Sequence, residues 1–136
     1  MVNPLTSRHV PRLMSLEDFK FAFCNEYSDE QTLQIHTKYA VYESKGVPRD
    51  STTQIGHVDF EKPHPPLLFL CGDKDQIVPS ILNQKNFDRF KAFDAKNNSR
   101  TEFKEFKGLT HGSIILGDEK DFTQVVETAL QFIATL

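Results

Sequence analysis

Asp75 and His111 are the two residues of this sequence whose types and positions suit acid–base chemistry. Asp75 falls in the turn after an apolar run, Pro66-Leu-Leu-Phe-Leu-Cys71. His111 falls in a glycine-punctuated loop after a shorter alternating run, Thr101–Phe106. A carboxylate beside a histidine accepts the Nδ1 proton, fixes the tautomer, and stabilises the imidazolium formed when Nε2 takes a proton. Such a pair needs a nucleophile to activate, and the other reactive side chains are poorly placed for that work. Ser44, in Tyr42-Glu-Ser44-Lys-Gly46, follows a helix-like segment and not a buried strand. Cys24 is expected mid-helix among Phe residues, with no turn to expose it. Thr110 and Gly112 are expected to shape the histidine loop without reacting.

The elements that would position the pair lie between 66 and 136. The run from Pro66 to Cys71 has strand length, is preceded by prolines and is ended by Gly72, which fits a strand covered on both faces. A helix is expected from Pro79 or Ser80, with Leu82, Phe87, Phe90 and Phe93 on its apolar side, ending at Asn97-Asn-Ser. Strand 101–106 follows, then the loop from Gly108 to Gly117, then a helix capped by Asp118. On that last helix Phe122, Val125, Val126, Ala129, Ile133 and Leu136 fall on one face. This βαβα order predicts two adjacent parallel strands joined by a right-handed crossover. Parallel neighbours end on one edge of their sheet, about 4.8 Å apart, so Asp75 and His111 are delivered to one rim.

Residues 1–65 read differently. Residues 1–14, with Pro4, Arg8, Pro11 and Arg12, are expected to form an irregular exposed arm. Ser15 and Ser28 each precede a helix start, with Asp18 and Gln31 three residues on as capping partners. Leu16, Phe19 and Phe23 give the first helix an apolar stripe, and the second should run to about Tyr39 or Val41. Residues 42–65 form a long connection with a short extended piece expected at Val58–Phe60. Loops of that length are unusual inside a compact domain, which implies a junction between two parts: a helical segment with its linker at 1–65, and the βαβα part at 66–136.

Composition narrows the function classes. The chain has 136 residues, 38% hydrophobic and 26% charged, with a formal charge of −3. That size and balance fit a soluble globular domain. Basic residues are interspersed with acidic ones, so neither nucleic acid nor a membrane surface is expected as a partner. No apolar run reaches transmembrane length and no signal peptide is expected at the start. Cys24 and Cys71 are isolated, and His9, His36, His57 and His64 lack metal-ligand spacing. No metal or cofactor is expected. The cysteine usage fits a cytoplasmic setting.

The segment Pro66-Leu-Leu-Phe-Leu-Cys-Gly-Asp-Lys-Asp-Gln-Ile-Val-Pro79 resembles the late acid-bearing strand and turn of α/β-hydrolases, where a Gly-x-x-Asp turn followed by Val-Pro carries the triad acid. Phe106-Lys-Gly-Leu-Thr-His111-Gly resembles that family's histidine loop, and the final helix its closing helix. The resemblance implies a partial α/β-hydrolase fold: short parallel strands at about 66–71 and 101–106, flanking helices and an N-terminal helical segment like a lid. It implies Asp75 as acid and His111 as base in ester- or amide-type hydrolysis. The family's Gly-x-Ser-x-Gly elbow does not occur in this sequence, so a truncated or split hydrolase with little activity alone is expected. The strand at 66–71 would then expose an edge. Self-association, or a companion chain completing the sheet, is expected to cover it. A non-catalytic interaction module is the alternative. A third reading rests on Asp73-Lys-Asp75, which resembles the opening of haloacid-dehalogenase-type Mg²⁺ phosphatases, although Gly72 intervenes and no suitable Lys and acidic Mg²⁺-site sequence follows.

Overall fold

The computed structural model describes residues 11–44 and 46–136. Residues 1–10 of the expected N-terminal arm, with Pro4, Arg8 and His9, lie outside the described residues. The described chain is a mixed α/β structure: seven helices and a parallel two-stranded sheet. Among the described residues no helix is long and apolar enough to cross a membrane.

Strands β1 (Leu67–Gly72) and β2 (Thr101–Phe106) pair in parallel, from Leu67 opposite Thr101 to Gly72 opposite Phe106. The crossover between them contains α4 (Ser80–Lys91) and the short α5 (Asp94–Asn97). The single helix expected from 80 to 96 thus breaks at Phe93. The break serves the carboxylate of Asp94, which accepts from the Thr101 backbone N–H (2.8 Å), the Thr101 hydroxyl (2.6 Å) and Lys91 (2.9 Å). Asn98, in the left-handed region at φ 48°, then turns the chain into β2. Leu82 is 46% exposed and does not belong to the apolar side expected of α4.

Side chains alternate across the sheet as a pleated strand requires. On one face Phe69 lies against Phe90, Phe103 against Phe87, and the Cys71 sulfur 3.6 Å from Ser80 Oγ. On the other, Leu70 and Phe106 pack with Leu109, Ile114 and Val125. Val125 belongs to α7 (Glu119–Ala134), which Asp118 caps through the Asp121 N–H. The α7 face differs from the expected one. Val125 and Phe132 are buried, whereas Phe122, Ile133 and Leu136 are exposed. The apolar arc of this helix is wider than the sheet beneath it, so packing selects only part of it. β1 is likewise half-buried from Leu67 to Leu70 instead of covered on both faces, because only one strand flanks it.

The N-terminal helices α1 (Leu16–Phe23) and α2 (Asp29–Tyr39) pack on each other through Phe19, which contacts Phe23 and meets His36 edge-on. Ser28 and Gln31 form a complete capping box at α2. Cys24 is the residue that caps the C-terminus of α1, not a mid-helix position, and it is buried. Arg12 and Glu43 form an isolated antiparallel bridge, tying the end of the described arm to the start of the long connection. That connection holds α3 (Gly46–Asp50) and a 3-10 turn at Gln54–Gly56. Val58–Phe60 is not a strand. It passes over α4, where Phe60 and His64 stack edge-on against Phe90.

Candidate functional site

Asp75 follows β1 in a turn its own side chain builds. Its Oδ1 accepts the backbone N–H groups of Ile77 (2.9 Å) and Val78 (2.8 Å), the Asx-type closure that an Asp two residues before the turn's end can make. The other oxygen, Oδ2, lies 2.7 Å from Nδ1 of His111. The carboxylate is thus met by three donors, which offsets the cost of burying it: its side chain is 5% exposed, that of His111 37%. With Nδ1–H donated to the carboxylate, the neutral ring carries its lone pair on Nε2. No described residue makes a hydrogen bond to that nitrogen. The arrangement can hold one tautomer and leaves the Nε2 lone pair facing away from Asp75, where it can accept a proton.

The two turns that carry the pair are stitched together. Gly72 allows the β1 end to press on the histidine loop: a Cβ there would lie 2.0 Å from the Leu109 carbonyl oxygen. Lys74 N–H donates to that same carbonyl (2.9 Å), and Asp73 N–H donates to the carbonyl of Phe106 (3.0 Å). Asp73 Oδ1 accepts the Gly108 N–H at 2.6 Å, and Gly108 takes φ 80°, where glycine is at ease. Asp73 therefore ties the two turns, with Lys107 3.5 Å from its other oxygen. Thr110 and Ser113 lock the loop by reciprocal backbone-to-hydroxyl bonds and open a short helix, α6 (Ser113–Leu116), in what reads as plain loop.

Phe23, counted in the sequence only as part of an apolar stripe, is the neighbour of His111 that sequence reasoning misses. Its ring lies 5.3 Å from the imidazole, tilted by 57°. Its carbonyl, freed at the end of α1, accepts from the Gly112 N–H (3.1 Å) and the Thr110 hydroxyl (2.9 Å). A Cβ on Gly112 would approach that carbonyl oxygen to 2.4 Å, so only glycine permits the contact. Asn25 completes the attachment by donating to the Lys74 carbonyl at 3.0 Å. No local signal marks Phe23 or Asn25, because their partners lie far along the chain.

The other nucleophile candidates are not assembled with the pair. Cys24 and Cys71 are both 1% exposed, and burial pushes both thiols above their ordinary range, the reverse of what a reactive thiolate needs. Ser44 lies in an exposed stretch and accepts the Gly46 N–H at 3.1 Å. Two shallow surface grooves, one between Phe60 and α4 and one along the first turns of α7, include neither Asp75 nor His111. No His, Cys, Asp and Glu grouping suited to a metal ion occurs among the described residues. No family model matches the chain, and neither a curated protein nor a solved structure matches it.

Proposed function

We propose that this chain carries the acid and base of an α/β-hydrolase-type site, and that it lacks the nucleophile that would make it a competent esterase or amidase. The observation that carries the reading is the 2.7 Å contact between buried Asp75 and the half-exposed imidazole of His111. The Gly-x-x-Asp turn and the histidine loop of the resembling family supply these two residues in this order. In the proposed role, Nε2 of His111 takes the proton of a hydroxyl nucleophile as that oxygen attacks an acyl carbon. It then returns the proton to the leaving group, while Asp75 holds the ring throughout. The nucleophile and the oxyanion donors, which dominate the rate, come from outside this sequence, as in a split or truncated enzyme.

The test is a panel of activated esters assayed with wild type and His111→Ala. Release above the buffer rate should be slow and should disappear in the variant, because an exposed basic Nε2 assists attack by water. Turnover that survives His111→Ala would overturn the assignment of the base. A non-catalytic interaction module is the second reading. It is favoured by exposed apolar side chains such as Ile81, Ile115 and Ile133. Activity toward no ester, with a stoichiometric protein partner recovered on tagged chain, would select it.

A further inference from the structure

The two edges of the sheet are treated differently. In β1, Leu67 N–H donates to the Arg100 carbonyl and Asp73 N–H to the Phe106 carbonyl, so odd-numbered residues of β1 face β2. Leu68, Leu70 and Gly72 then direct their backbone N–H and C=O groups to the outside, where no described strand lies. By the same alternation the outward N–H groups of β2 belong to Thr101, Phe103 and Glu105. The first of these is already donated to Asp94 Oδ2. β2 also bears Glu102, Lys104 and Glu105, the charges by which natural edges resist pairing. β1 has no such device: no charged side chain occurs from Pro66 to Gly72.

We propose that the open edge of β1 pairs, antiparallel, with β1 of a second copy of this chain about a twofold axis at Phe69. The inference goes beyond the hydrolase reading and does not rest on it. What selects a second copy as the occupant is that the edge is complementary to itself. In this register Leu68 stands opposite Leu70 of the copy, and Leu70 opposite its Leu68. These are outward-facing residues on both sides, so each pair exchanges both N–H···O bonds. Gly72 stands opposite Pro66. Gly72 is buried within the single chain, so the pairing is carried by Leu68 and Leu70, and Gly72 O needs no donor from Pro66, which has none, because the Asp75 N–H already binds it at 3.3 Å. Phe69 meets its own copy in a non-hydrogen-bonded pair, the closer kind, where aromatic pairs are favourable. No like charges face each other across the axis. The result is a four-stranded sheet, β2-β1-β1-β2, whose only edges are the guarded β2 strands. Antiparallel pairing brings the copy's Pro66 end beside Gly72, at the sheet end that carries Asp75 and His111.

The test uses the full chain. Light scattering after size exclusion should give twice the 15.6 kDa of one chain, and Leu68→Pro should give the single-chain mass with unchanged circular dichroism. Proline at 68 removes an outward N–H and leaves the β1–β2 ladder intact. A wild-type monomer throughout the micromolar range overturns the proposal, as does a dimer that Leu68→Pro leaves unchanged. If the variant does not fold, amide exchange of the wild type decides. The Leu68 and Leu70 amides should be protected when concentrated and lose protection on dilution, with the Phe69 amide, bonded to β2, protected in both. Leu68 and Leu70 amides that exchange freely at every concentration overturn it.

Discussion

Replacing Asp75 by Asn keeps the shape of the side chain and removes its charge, so it tests the central contact with little disturbance elsewhere. The orientation of the new amide is dictated by the turn. Oδ1 must go on accepting from Ile77 and Val78, since the flipped amide would set its NH₂ against two donors. The NH₂ group therefore takes the place of Oδ2 and donates to Nδ1, which must give up its proton. The ring switches to the Nε2–H tautomer, and the lone pair needed for base catalysis leaves the exposed nitrogen. Three charge-assisted bonds become neutral ones, each losing about 1 kcal/mol, and part of this is returned because a buried charge no longer has to be desolvated. A net loss of about 1.5 kcal/mol is expected. For 136 residues the unfolding entropy is about 0.29 kcal/mol/K, so Tm should fall by about 5 °C. Long-range nitrogen–proton NMR of the His111 ring reads the tautomer, and calorimetry reads Tm. A wild-type ring already protonated on Nε2 would refute the reasoning, and so would an Asn variant whose Tm and tautomer match the wild type.

Two further substitutions test the supports of the site and the start of β2. Gly112→Ala should destabilise the chain by about 3 kcal/mol, the range of an overpacked core position, and should undock α1. Limited proteolysis near Phe23 ought to accelerate, and unchanged cleavage would argue that the 2.4 Å approach to the Phe23 carbonyl relaxes at no cost. Asp94 predicts a pH dependence. Burial opposes its ionised form, but the bonds from Thr101 and Lys91 outweigh burial and hold its carboxyl below the usual range. Its stabilisation is therefore complete above the unfolded value of about 4 and is lost as pH falls through the lower folded value. Asp94→Asn should cost about 1–2 kcal/mol at pH 7, with the gap to wild type narrowing below about pH 4 in urea titrations. A gap that stays constant down to pH 3 would show that the carboxylate charge contributes nothing.

What could be read from the sequence is what is encoded locally. The capping box of Ser28 and Gln31, the Asp118 cap, the apolar β1 run and the alternation in β2 each state their structure within a few residues, and all are found where expected. The parallel pairing follows from chain order alone, and with it the delivery of Asp75 and His111 to one rim. The unread parts depend on contacts between distant segments. Ser113–Leu116 becomes a helix because Thr110 and Ser113 close its first turn, although two successive isoleucines weaken any helical signal. On α7 the periodicity is satisfied equally by an arc containing Ile133 and by one containing Phe132, and only the position of the sheet makes Phe132 the buried one. The break at Phe93 is likewise invisible until Asp94 is seen to be needed by Thr101.

The turn between α1 and α2 has a consequence for how the pair is held. Phe23 and Asn25 are two residues apart, yet they reach both halves of the dyad. The Phe23 carbonyl and ring engage the histidine loop, and the Asn25 amide engages Lys74, next to Asp75. One short segment therefore spans the two sheet-end turns from outside, while Asp73, Gly72 and Leu109 join them from within. A two-stranded sheet has little rigidity of its own, and strands this short leave their terminal loops free to spread. The helical N-terminal part supplies the missing constraint. It braces each turn against the other through bonds that bury no charge, and the close approach to the Phe23 carbonyl is the one that needs glycine at 112. The dyad is thus a property of the whole described chain and not of its βαβα part, even though that part contributes both of its members.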